Sequence, residues 1–412
     1  MDKAILSSSN LHHLDFTALA NQPQAICFSE MYELKRCLLQ ARNLKILCLR
    51  VGVASGAPND DLREGPLNLP FRDGDIFPAL EELKLDPVLQ NYFPTAGHCE
   101  IWSRCMDWSQ LHTLDFGWGT PTALFQALTG RVAQLKTIKF GFENNYGAAS
   151  ALWNASDDIE VLERFINSID ALRNVRMHSL DDDAMQKVRP TLLAKHGRSL
   201  RSLEADYLKS VAWEPEHFYA LAETAPEIEI LRLPMKVQKK QGNNKLSVWP
   251  DESATQKTWA VARLKKLFAS YRPQKHGNSP WTASSSAAGR SIHSALTSLR
   301  HLRQLYLKMY LEYDSYQLIS YPGPDEWGSP QIKQKVVRDL MLRLWHDFGR
   351  KSPLERIEVT FVSPGGSTKI WYYSVFQKWQ KRASDGIWKS RVEVEMREEG
   401  RDYDPNTFDP FC

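Results

Sequence analysis

Apolar residues return along this chain in one short phrase. An apolar position is followed by two spacers, a second apolar position, one spacer and a third apolar position. Leu302-x-x-Leu305-x-Leu307 is a clear copy. The phrase suits a chain turning into a short strand with one buried face. It recurs ten times, beginning at Leu11/Leu14/Phe16, Leu44/Leu47/Leu49, Leu80/Leu83/Leu85, Leu111/Leu114/Phe116 and Leu135/Ile138/Phe140. Weaker copies stand at Leu172/Val175/Met177 and Leu200/Leu203/Ala205. Ile228/Leu231/Leu233, Leu302/Leu305/Leu307 and Leu354/Ile357/Val359 complete the set. First positions are spaced by 33, 36, 31, 24, 37, 28, 28, 74 and 52 residues.

The stretches between the phrases predict helices. Ser29–Leu39 places Met31, Leu34 and Leu38 on one helical face. Pro121–Leu128 has proline at a first helical position and Gly130 as its stop. Ser156 is a candidate cap, with Asp157 and Asp158 in the first turn, for a helix running to about Leu172. Further helices are predicted near 184–196, 214–224, 290–299 and 332–349. The repeating unit is therefore helix, short turn, strand.

Parallel strands joined by helices can also build a doubly wound sheet, but that sheet buries both faces and needs continuous apolar runs. Here the strands alternate with charge, as in Leu83-Lys84-Leu85-Asp86 and Leu231-Arg232-Leu233. One face is wet. The expected fold is α/β: a curved solenoid with parallel strands on the concave face and helices on the convex face. Residues 1–362 form this irregular solenoid of about ten repeats, with insertions at 236–290 and 311–330. The first insertion carries Lys236, Lys239, Lys240 and Lys245 and an amphipathic stretch from Trp259 to Phe268. The second carries Tyr313, Tyr316, Tyr321 and Trp327. Residues 363–397 read as a C-terminal cap, with Ile370–Trp379 an aromatic helix or strand and Val392–Met396 a strand; 398–412 is a tail.

With this pattern in place, the residues resemble the leucine-rich-repeat proteins, and the irregular style resembles the repeat regions of fungal F-box proteins. The resemblance covers roughly residues 10–362. It implies a leucine-rich-repeat-like solenoid that recognises proteins, the substrate receptor of an SCF-type ubiquitin ligase. Two departures stand out. The regular family carries Asn or Cys three residues after the third apolar position. Here those positions include Leu19, Gly52, Lys236, Tyr310 and Val362, so the turns must be satisfied otherwise. No F-box segment is found, and a phrase already begins at Leu11. The cullin-RING adaptor is therefore a partner only if an F-box is supplied, and a stand-alone interaction scaffold is the alternative.

Composition and charge narrow the classes. Of 412 residues, 42% are hydrophobic and 25% charged, a globular balance. Lys plus Arg is 52 and Asp plus Glu 49, a net of +3, which argues against a general nucleic-acid or membrane-surface binder. The 6 cysteines fit no disulfide framework, so reduced thiols in a cytoplasmic or nuclear protein are expected. The start has no apolar core of a secretory signal, and no run of about 18 apolar residues suggests a membrane span.

Candidate chemistry is thin, and the expectation is a non-catalytic protein without cofactor or metal. Gly117-Trp118-Gly119-Thr120 lacks the third glycine of a nucleotide fingerprint. His98, Cys99 and Cys105 fit no zinc spacing and read as packed or exposed loop residues. His12, His13 and Asp15 lie across a predicted strand, where alternation sends neighbours to opposite faces. Asp181, Asp182 and Asp183 read as a solvated helix start. The spacer between the second and third apolar positions carries more. It should face outward in every strand, giving Asp15, Cys48, Lys84, Asp115, Lys139, Arg176, Glu204, Arg232, Tyr306 and Glu358. The next outward row holds Arg50, Asp86, His178, Asp206, Lys308 and Thr360. A mosaic of both signs selects a protein partner. Lys84, Asp115, Lys139, Arg176, Glu204, Arg232, Tyr306 and Lys308 are the expected protein-binding residues on the concave face.

Overall fold

The computed structural model describes residues 10–20, 26–53, 69–86, 96–117, 122–141, 155–178, 182–206, 213, 215–236, 296, 298–310, 319–320, 331–332, 338, 341–342, 345, 353–362, 370–381 and 388–399. The expectations for 237–290 and for Tyr313, Tyr316, Tyr321 and Trp327 lie outside these residues. The chain divides into two compact units, Met1–Leu208 and Lys209–Cys412, and each is described by itself.

In the first unit, strands alternate with helices. The strands are β1 (His13–Ala20), β2 (Ile46–Val53), β3 (Glu82–Asp86), β4 (Thr113–Asp115), β5 (Thr137–Gly141), β6 (Asn174–His178) and β7 (Ser202–Asp206). The helices are α1 (Ile26–Gln40), α2 (Ala96–Cys105), α3 (Thr122–Leu128), α4 (Ala155–Ser168) and α5 (Asp182–His196). Each strand pairs in parallel with the next, in chain order. Every strand coincides with one apolar phrase.

Burial follows the phrase. Leu47, Leu49, Leu83, Leu114, Ile138, Phe140, Val175, Met177, Leu203 and Ala205 are at most 2% exposed. The spacers between them are half-buried. Met31, Leu34 and Leu38 of α1 are buried together, as their spacing predicts. Phe125 of α3 ties helices to sheet: its ring stacks on Phe165 of α4 at 4.7 Å and meets Phe116 and Phe140 edge-on at 5.4 and 5.9 Å. Such ring pairs add roughly 0.5–1.5 kcal/mol each beyond area burial.

A second regularity lies just before each strand. The residue after the first apolar position offers one carbonyl to two successive amides of the next repeat. Lys136 O accepts from Arg173 N at 2.8 Å and Asn174 N at 3.0 Å. The same pattern joins His12 to 45–46, Lys45 to 81–82, Glu81 to 112–113, His112 to 136–137 and Arg173 to 201–202. These shared carbonyls satisfy the backbone where the chain bends into the sheet. At the other end, Leu19 and Gly52 lie inside β1 and β2. Where the regular family would place a turn asparagine, these strands simply continue.

The helix α2 corrects the loop reading of His98, Cys99 and Cys105. Cys99, Trp102, Ser103 and Cys105 form its buried face. Trp102 lies 5.4 Å from Phe71 and 5.6 Å from Trp108, and Phe71 lies 5.5 Å from Phe77. This aromatic nest ties α2 to the residues leading into β3.

The second unit holds α6 (Pro215–Thr224), β8 (Ile230–Lys236), β9 (Gln304–Tyr310), β12 (Arg356–Val362), β13 (Ile370–Lys381) and β14 (Trp388–Glu399). Short β10 (Ile319–Ser320) and β11 (Gln331–Ile332) pair separately as an antiparallel ladder. Strands β8, β9 and β12 run parallel, whereas β13 and β14 add antiparallel strands beside β12. Within the stretch expected as a cap, β13 and β14 extend the sheet, the latter to Glu399. The aromatic segment is strand: Tyr373 and Val375 are buried while Ser374 and Phe376 are half-buried, a period of two. The carbonyl sharing recurs here from Glu229 to 303–304 and from Arg303 to 355–356.

Candidate functional site

The outward spacers form continuous rows. In the first unit the strand registers align Asp15, Cys48, Lys84, Asp115, Lys139, Arg176 and Glu204. In the second they align Arg232, Tyr306, Glu358, Ser374 and Glu395. Adjacent members lie about 4.8 Å apart along the hydrogen-bonding direction. The second row is also in register, with Arg50 beside Asp86, His178 beside Asp206 and Lys308 beside Thr360, but His178 is 2% exposed and so does not face outward as expected.

The rows are knitted laterally. Arg50 grips Asp15 with two bonds of 2.9 and 3.1 Å. Lys139 Nζ is 3.5 Å from Asp115, whose other oxygen accepts from the Gly117 amide at 2.7 Å. Gly117 takes φ +52°, a left-handed conformation that suits glycine. Gly117 itself takes this turn role, and residues 118–120 lie outside the described residues. Arg176 lies 3.6 Å from Glu204. Lys84 lies 3.3 Å from Glu82. Partial burial opposes the Lys84 ammonium, but the Glu82 carboxylate, with Asp115 beside it, outweighs that cost and raises its pKa. Burial likewise raises the Cys48 thiol, which is therefore no ready nucleophile.

In the second unit Arg232 lies over the Tyr306 ring at 4.7 Å, a cation–π contact. Tyr306 is only 5% exposed, and its hydroxyl donates to Gln304 Oε1 at 2.9 Å. Its ring therefore lies beneath the guanidinium, and what it presents to a partner is presented through Arg232. Lys308 is half-buried. Glu358 is held by Arg356 at 3.0 Å.

His12, His13 and Asp15 are each engaged by a different group. His12 Nδ1 donates to the Asn43 carbonyl at 2.9 Å, His13 lies 3.8 Å from the Cys48 sulfur, and Asp15 is bound by Arg50. Among the described residues no group of three His, Cys, Asp or Glu is placed to hold a metal ion. Burial lowers His98 to about 4 and raises Cys99 to about 12, so both are neutral packing groups. Among the described residues no helix is long and apolar enough to cross a membrane.

One row escaped the sequence reading. The second spacer of the five phrases from Leu80 to Leu200 gives Glu82, Thr113, Thr137, Asn174 and Ser202, also in register. Asn174 donates to Thr137 Oγ1 at 3.0 Å across two strands. The signal was present: this position is polar in each of these repeats. Compared with models of protein families and with curated proteins, the chain matches none.

Proposed function

We propose that this protein is a non-catalytic recognition scaffold, a leucine-rich-repeat-like curved solenoid whose polar sheet face binds a protein partner. One observation supports the reading above the others. Seven outward side chains of the first unit stand in one register row, with both signs of charge fixed by lateral pairing. Fixed charges lose little freedom on binding and discriminate partners by sign. The helices pack on the opposite, apolar face, which leaves the polar row for recognition.

The test is affinity capture with parent protein and a Lys139→Glu, Arg176→Glu double variant. The two pairs are 18–25% exposed, and reversal sets like charges beside Asp115 and Glu204, so the variant should melt lower, by more than the roughly 1 kcal/mol of an exposed pair, and is assayed below its midpoint. Parent protein should retain a partner that the variant releases while its circular dichroism still shows the fold. Equal capture by both removes the polar row from the reading. The resemblance to F-box repeat regions extends the proposal to substrate recognition in an SCF-type ubiquitin ligase. Co-capture of the cullin adaptor supports that extension; a partner retained without the adaptor leaves a stand-alone scaffold.

A further inference from the structure

The middle of the polar row in the first unit has an order of its own. Strand register sets Asp115, Lys139, Arg176 and Glu204 side by side on β4 to β7, so the row reads acid, base, base, acid. Each base is held from the outside: Lys139 Nζ is 3.5 Å from Asp115, and Arg176 Nε is 3.6 Å from Glu204. The two bases meet across β5 and β6, one strand spacing of about 4.8 Å apart along the sheet. The two acids of the row stand three spacings apart, roughly 14 Å. Along their own strands the bases have neutral neighbours before them, Thr137 and Asn174, bonded to each other at 3.0 Å, and Gly141 and His178 after them. On these four strands the acids stand at the outside, Asp115 on β4 and Glu204 and Asp206 on β7. Like charges directly opposite each other destabilise a sheet, so this order has a cost that an added anion would relieve.

We infer that the junction of Lys139 and Arg176 receives one carboxylate side chain, aspartate or glutamate, of the protein partner. The inference rests on the recognition reading and names the chemistry of the group that the polar face selects. Distance decides the sign. A group over the junction sits beside both bases, whereas each acid of the row is a further strand away, so the two attractions exceed the two repulsions. A basic group gains less, because acids roughly 14 Å apart exceed a Debye length of about 8 Å and cannot act on it together. The two oxygens of a carboxylate can accept from the ammonium and the guanidinium at once, and such charge-assisted bonds are the strong kind. The four side chains are only 18–25% exposed, so their field is screened less than at an open surface. A nucleic-acid strand would instead carry its neighbouring phosphates onto Asp115 and Glu204.

The experiment titrates the whole protein into a labelled oligo-glutamate peptide and, separately, an oligo-lysine peptide and a single-stranded RNA oligomer, reading anisotropy at low and raised salt. The parent should bind oligo-glutamate best, and more weakly as salt rises. Lys139→Gln with Arg176→Gln should weaken that binding by about tenfold. Asp115→Asn with Glu204→Gln should tighten it by about threefold or more, because the flanking repulsion goes while an acceptor for the Gly117 amide is kept. A gain of binding cannot come from misfolding. Glu33→Gln with Asp73→Asn removes two acids from ion pairs elsewhere in the unit and should bind as the parent does. No binding of oligo-glutamate at low salt, tighter binding of oligo-lysine or RNA, or equal affinity in the parent and the Asp115/Glu204 variant overturns the inference, as does an equal gain in the Glu33/Asp73 variant. Partner capture lost in the Lys139→Glu, Arg176→Glu variant, with oligo-glutamate unbound by the parent, overturns the carboxylate and spares the face.

Discussion

His196 ends α5 at 1% exposure and stitches two repeats together. Its Nε2 donates to the Ile166 carbonyl at 3.0 Å and its Nδ1 accepts from the Leu172 amide at 3.2 Å. Only the neutral ring can do both, because a protonated Nδ1 would face the amide with a second hydrogen. Burial lowers its pKa; the Ile166 carbonyl partly opposes this, and Lys195 adds to it. A histidine depressed in the fold contributes stability that is complete above its unfolded value of about 6.5 and is lost as pH falls below it. The melting temperature should therefore drop between about pH 7 and pH 5. His196→Gln keeps one donor and one acceptor but cannot titrate, so its profile should be flatter. An unchanged slope would remove His196 as a source, leaving His98 to account for it. Leu305 makes a simpler case. It is fully buried in β9, so Leu305→Ala should cost about 2–5 kcal/mol in a denaturant melt. A parental midpoint would contradict that burial.

At the scale of elements, the phrases were legible because two signals agreed. Apolar alternation marked the strand, and the pair of spacers marked the bend that precedes it. Helix α2 was not legible, because its buried face of Cys99, Trp102 and Cys105 uses residue types that also serve metal sites. Strand β13 remained ambiguous because Trp371, Tyr372 and Tyr373 are three aromatics in succession, which hides the period of two. The burial of Tyr306 was hidden for another reason: alternation sends it outward, but no local rule places Arg232 over it. The shared carbonyls could not be read at all, since backbone bonding between repeats leaves no mark on side chains. They carry their own prediction. The amides of Asn174 and Ser202 donate to the carbonyls of Lys136 and Arg173 within the sheet, whereas β1 is the outermost strand of the described sheet. Hydrogen exchange should be slowest in β5 to β7 and faster in β1. Equal protection throughout would mean the repeats do not open separately.

For the whole molecule, the division at Leu208 matters more than the number of repeats. Each unit has its own buried apolar layer, Leu114 and Phe140 in one, Leu231 and Leu305 in the other. In such arrays stability is close to a sum of local contributions, and cooperativity can break between parts. Thermal unfolding should therefore proceed in two resolvable steps. Leu114→Ala should move one and Leu231→Ala the other; a single transition shifted alike by both would show that the units melt as one. The resemblance to repeat proteins was drawn from the phrases alone, and the strands and their order agree with the α/β alternation it implies. The partner that such a face would serve rests on the proposals above.

The shared carbonyls also set where the chain tolerates added length. Each one clamps two consecutive amides of the next repeat, so the interval from the first apolar position into the strand cannot lengthen without breaking a clamp. Beyond the strand no such clamp applies, and the spacing between first positions of successive phrases, 24 to 74 residues, varies there. New segments can therefore be grafted after a strand, and always at the same rim of the sheet. A lineage could enlarge one side of this protein repeatedly while the aligned strands stay in step.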